Sequence, residues 1–109
     1  MRATFRDAAL AIALVAPSSY GQTIIGTFDC GQWVKSHTPV QNAWLMGYLS
    51  GINFANARIN YDPLGAVTSA DQVIVWMDNY CHKNPLSDLY RAAFVLYMEL
   101  EQKAGGPPK

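Results

Sequence analysis

Charge is scarce in this chain. Only 15% of its 109 residues are Asp, Glu, Lys or Arg, and eight basic side chains balance eight acidic ones. Without a cluster of Lys or Arg there is no surface on which to track phosphates, which argues against nucleic acid or anionic lipid as a partner. Long apolar runs are missing too. Ala8 to Ala16, AALAIALVA, is nine residues, well short of the roughly 20 that a bilayer-spanning helix needs. No Leu-x-x-Cys follows it, so neither a stable membrane anchor nor a lipid anchor is expected. A catalytic set is also lacking. Serines, histidines and carboxylates occur as scattered singles, with no nucleophile ordered beside a base, so the chain does not read as an enzyme and nothing in it calls for a cofactor.

What is present begins with a leader. Arg2 and Arg6 precede the apolar run, and Pro17, Ser18, Ser19, Tyr20 and Gly21 follow it. Small residues at Ser19 and Gly21 occupy the positions a signal peptidase reads. The expectation is a signal peptide over 1–21, export to the periplasm, and a helical domain over 22–104 followed by a disordered tail, 105–109. Removing the leader leaves six Lys/Arg and seven Asp/Glu, so the exported domain stays near neutral and its partners are expected to be proteins.

An oxidising compartment gives the two cysteines a default role as a structural disulfide, Cys30 to Cys81. Cys30, His37, Cys81 and His82 also have the composition of a zinc site. Adjacent residues near a helix end, such as Cys81 and His82, point about 100° apart, and oxidation favours the sulfur–sulfur bond, so no metal site is expected.

The remaining pattern is helical. Thr23 to Asp29 reads as a loose extended arm, and Asp29 caps a short turn from Cys30 to about Ser36. Thr38-Pro39 starts a long helix in which Val40, Ala43, Trp44, Gly47, Tyr48, Gly51, Ile52 and Ala55 share one face, expected to be the buried one. Within it Gly47, Gly51 and Ala55 form a line of small residues that lets another helix come close. Asn60 to Thr68 reads as a connecting loop. Ser69-Ala-Asp-Gln72 matches a capping box for a second helix running to Cys81. Asn84-Pro85 is expected to start a third helix, with Leu86, Leu89, Tyr90, Ala93, Phe94, Leu96, Tyr97 and Leu100 as its stripe and Gly105-Gly106-Pro107 as its stop. The fold class is therefore all-α: three main helices plus a short N-terminal helical turn, closed by one disulfide. Three tryptophans, six tyrosines and four phenylalanines are many for so small a core, and a leftover aromatic patch would serve a homodimer interface or a protein client.

Two blocks carry a family resemblance. Tyr80-Cys81-His82-Lys83-Asn84-Pro85 with Leu89-Tyr90, and Cys30-Gly31-Gln32-Trp33 with Thr38-Pro39-Val40 before Trp44, resemble the two cysteine regions of the periplasmic HdeA/HdeB acid-stress chaperones, the HdeB branch in particular. The resemblance implies a protein that is folded at neutral pH and loosens in acid to hold unfolded periplasmic clients. Protonating its carboxylates would carry the exported chain from near zero to about +9. The blocks from Trp44 to Gly51 and from Trp76 to Cys81 are also similar to the Rap1a/Tai-type immunity proteins. That similarity implies instead an inhibitor of a secreted cell-wall amidase, with the Asn60 to Thr68 loop as the contact.

Overall fold

The computed structural model describes residues 23–36 and 38–107. The expected leader, 1–21, and His37 lie outside the described residues. Helix α1 is Cys30–Lys35, α2 is Pro39–Asn56, α3 is Ala70–Lys83 and α4 is Leu89–Lys103, with a 3-10 turn at Pro63–Ala66 between α2 and α3. The fold is all-α, as the periodicity indicates.

Two helices begin as their sequences dictate. Asp29 Oδ1 accepts the Gln32 N–H at 2.7 Å while Gln32 Oε1 accepts the Asp29 N–H at 2.9 Å. Thr38 and Gln41 repeat the arrangement at the start of α2, where Pro39 takes the position whose N–H has no helical partner.

The other two depart from expectation, α3 in its capping bonds though it begins behind Ser69 as expected, and α4 in where it begins. At α3 the Ser69 hydroxyl caps nothing, and the Gln72 side chain reaches one residue further back to accept the Thr68 N–H at 2.8 Å. Helix α4 starts at Leu89 behind Asp88, not at Asn84-Pro85. Asn84 instead closes α3. Its N–H and its Nδ2 both donate to Tyr80 O at 2.9 Å, satisfying a carbonyl that the helix end leaves open. Ser87 and Asp88 are meanwhile held extended against the arm, because Cys30 N–H donates to Ser87 O at 2.8 Å and Leu89 N–H donates to Phe28 O at 2.7 Å. A helix cannot pass through residues committed to that pairing. Leu86, expected on the α4 stripe, is accordingly 98% exposed.

The end of α4 follows the Gly-Gly signal. Gly105 and Gly106 have φ of +92° and +84°, and Gly106 N–H returns to Glu101 O at 2.8 Å, a Schellman closure that needs the left-handed backbone.

Packing places α1 on α3, α2 on α4 and α3 on α4, with the 3-10 turn against both α2 and α4. The Cys30–Cys81 disulfide joins the first residue of α1 to the last turn of α3, with the Cα atoms 4.9 Å apart. Around it Trp33, Leu45, Leu49, Met77, Leu89, Ala92, Ala93 and Tyr97 are fully or almost fully buried. Each of the larger ones contributes roughly 1.5–3 kcal/mol of apolar transfer. The Trp33 indole N–H, which the core would otherwise leave unpaired, donates to Asp78 Oδ1 at 2.7 Å.

Candidate protein-binding site

Helix α2 contains no Asp, Glu, Lys or Arg in 18 residues. Its polar residues, Gln41, Asn42, Ser50, Asn53 and Asn56, are few and uncharged, and a helix this apolar usually has more than one side covered. Among the described residues only one side is. Gln41, Leu45 and Leu49 face the core, whereas Val40 is 69% exposed and Phe54 89% exposed, and Ala43, Gly47, Gly51 and Ala55 are exposed with them. Of the face expected to be buried, Trp44, Tyr48 and Ile52 are half-buried against the core, while Val40, Ala43, Gly47, Gly51 and Ala55 turn outward. The reason lies in area: Leu45 and Leu49 remove far more apolar surface from water than a line of glycine and alanine does, and with no charge on the helix its periodicity does not mark which side turns inward.

Among the described residues the two glycines of the small-residue line make room for no neighbouring element. A Cβ added at Gly47 or at Gly51 would meet nothing within 4 Å. Each glycine costs about 1 kcal/mol of helix propensity without a packing return inside the fold.

Beside this line stands an aromatic wall. Trp44 and Tyr48, one turn apart, stack with centroids 5.1 Å apart and planes 7° from parallel, and Phe28 meets Trp44 edge-on at 6.3 Å. The Trp44 indole N–H donates to Ile25 O at 3.1 Å, which draws the N-terminal arm across the helix. The arm, expected to be loose, is therefore a wall of the site. Ile24, Ile25, Ala43, Trp44, Gly47 and Tyr48 enclose an open, mainly apolar groove of about 480 Å³. Burial, and secondarily the neighbouring Tyr90, raise the Tyr48 pKa above the ordinary tyrosine value, so its hydroxyl stays neutral at physiological pH.

A second Trp–Tyr pair repeats the arrangement on α3. Trp76 and Tyr80 stack at 5.1 Å and 9°, and Trp76 Nε1 donates to Glu99 Oε1 at 3.2 Å, pinning α3 to α4. This pair is half-buried and knits the domain together.

The segment after α2, expected as a connecting loop, is fastened at several points. Arg58 and Tyr61 exchange backbone hydrogen bonds, 2.9 Å each way, around Ile59 and Asn60. Asn53 Nδ2 donates to Asp62 Oδ1 at 2.7 Å, and Asn53 Oδ1 accepts from Leu64 N–H and the Tyr97 hydroxyl, both at 3.2 Å. Burial and the hydrogen bond to Glu101 push the Tyr61 pKa up to about 12, and burial with the nearby Glu101 and Asp62 raises that of Tyr97. The residues of this network lie 9 to 44 positions apart in the chain, and no local motif announces them.

Of the residues considered for metal, Cys30 and Cys81 are bonded to each other, and His82 Nδ1 sits 2.9 Å from Asp78 O, one turn back in its own helix. Among the described residues no three His, Cys, Asp or Glu side chains converge, and no helix is long and apolar enough to cross a membrane. No protein-family model matches the chain, and no curated protein or solved structure matches it either.

Proposed function

We propose that this protein is an exported protein-binding domain of the chaperone type, which holds apolar segments of other proteins against the outward face of α2. One observation carries the reading: an uncharged helix exposes two glycines that the domain itself does not need, alongside an apolar groove walled by Trp44 and Tyr48. Extended apolar chain can lie close to the helix backbone at Gly47 and Gly51 and place a side chain in the groove. The resemblance to HdeA/HdeB proteins points the same way, with one difference. The groove is open in the folded domain, so binding is expected at neutral pH and increases in acid as net charge loosens the helices.

The test is light scattering of an aggregating client with the oxidised, leader-free protein at pH 7 and at about pH 3. Suppression of aggregation is expected at both, and Gly47→Glu is expected to abolish it at pH 7 without lowering the circular-dichroism melt, since glutamate is the better helix former. Inactivity of the wild-type protein at both pH values would sink the reading.

A second reading, an immunity-type inhibitor of a cell-wall amidase, is favoured by the fastened segment after α2, because a rigid projection loses little entropy when it seats in a folded partner. It predicts a stable complex with such an amidase at neutral pH in size-exclusion chromatography.

A further inference from the structure

The turn Arg58-Ile59-Asn60-Tyr61 puts a β-branched apolar side chain where turns ordinarily place Pro, Gly, Asn, Asp or Ser. Ile59 is 91% exposed. Single exposed apolar residues are common on protein surfaces, and this one would be unremarkable in a loose loop. The loop is not loose. Asn60 holds a φ of +66°, a left-handed conformation that Asn tolerates better than most residues, and the reciprocal Arg58–Tyr61 bonds close the turn beneath it. Below that, the Tyr61 hydroxyl bonds Glu101 on α4 at 2.6 Å and Asp62 bonds Asn53 on α2 at 2.7 Å. Arg58 is oriented as well, its Nη1 donating to Asn56 O at 3.0 Å. Its other guanidinium donors form no ion pair among the described residues, and its side chain is exposed.

We propose that this turn is a preformed anchor for a folded partner protein, in which Ile59 fills an apolar pocket and Arg58 meets a carboxylate on the pocket rim. The chemistry follows from the shape. A convex, rigid tip fits a concave surface, not a flexible client, and a small aliphatic group beside one cation matches an apolar pocket with an acidic edge. The anchor is separate from the α2 groove and rests on the second functional reading only in requiring a folded partner, whether or not that partner is an amidase.

The experiment uses the full chain with its leader, carrying the photo-crosslinking residue p-benzoylphenylalanine at position 59 or, as an equally exposed apolar control, at position 86, irradiated in producing cells. A discrete adduct is expected from position 59 and not from 86, competed by excess wild-type chain and not by an Ile59→Asp chain. The protein in the adduct is then purified, and calorimetry is expected to show Ile59→Ala weakening its complex by about 30-fold or more, with Arg58→Ala weakening it in a salt-sensitive manner. Both variants should melt with wild type, since neither side chain is buried. No adduct at 59, equal adducts at 59 and 86, or an affinity unchanged by Ile59→Ala would overturn the proposal. An Ile59-dependent complex with a protein that is not a hydrolase supports the anchor and removes the amidase reading; an amidase complex insensitive to Ile59→Ala does the reverse.

Discussion

The Tyr61 hydroxyl donates to Glu101 Oε2 over 2.6 Å, joining the turn after α2 to the last turns of α4 across 40 residues of chain. A hydrogen bond to a carboxylate is stronger than one between neutral groups, and it favours the protonated phenol, which alone can donate. Burial works in the same direction.

This gives the fold an alkaline limit. The Tyr61 pKa is about 12 in the folded domain and about 10 in an unfolded chain, so the stabilisation is complete below pH 10 and declines as pH rises from 10 towards 12. Tyr61→Phe is expected to melt below wild type at pH 7 and to lose less stability than wild type between pH 10 and 12. Thermal unfolding followed by circular dichroism across that range checks both halves. Parallel curves for the two proteins would show that Tyr61 is not the group responsible. Tyr97 and Tyr48, whose pKa values are also raised, leave a residual decline in the variant.

The disulfide closes a span of 51 residues. In the chain-entropy model its removal returns freedom to the unfolded chain worth about 4 kcal/mol, a large share of what so small a domain holds. Replacing Cys30 and Cys81 together by Ala is therefore expected to lower the urea midpoint markedly or to unfold the domain, and reductant should act likewise on the wild type once its buried sulfurs become accessible. A double variant as stable as wild type would contradict this.

Helix capping separates what local sequence reveals from what it does not. Thr38 and Ser69 look equivalent in the chain, each three residues before a glutamine, yet only the Thr38 hydroxyl accepts a backbone N–H. Thr38→Ala is expected to cost about 1 kcal/mol, and Ser69→Ala to be close to neutral. Chemical denaturation of the two variants side by side decides it. Equal losses would mean that Ser69 caps α3 after all.

The same contrast runs through the whole fold. The Asp29 and Thr38 starts and the Gly105-Gly106 stop were legible because each is settled by groups within a few residues of one another, and the cysteine pair, 51 residues apart, because two cysteines leave only one pairing. Asn84 was misread because Asn serves at either end of a helix, and the choice was made by the Phe28–Leu89 and Cys30–Ser87 pairings, which are long-range. The hub at Asn53 was invisible for the same reason. At α2 the difficulty was of another kind: its few polar residues are uncharged and one of them, Gln41, lies on the buried side, so only packing in the assembled core chooses the inward face.

That choice leaves Gly47 and Gly51 as the sharpest test of the binding face. Both sit within α2, facing outward, and open space surrounds the position a Cβ would take. Neither has a positive φ, so alanine fits without strain. Gly47→Ala and Gly51→Ala are each expected to raise stability by about 1 kcal/mol, through helix propensity and a less flexible unfolded chain. Binding should move the opposite way. A methyl at either position holds a partner's backbone away from the helix, and Gly47→Leu, which also intrudes on the groove beside Trp44, should weaken client binding more than Gly47→Ala does. Denaturation and aggregation assays on the same preparations measure both quantities. Variants that gain stability and bind as well as wild type would mean that the glycines are not there for close approach, and the outward face of α2 would lose its claim to be the binding site.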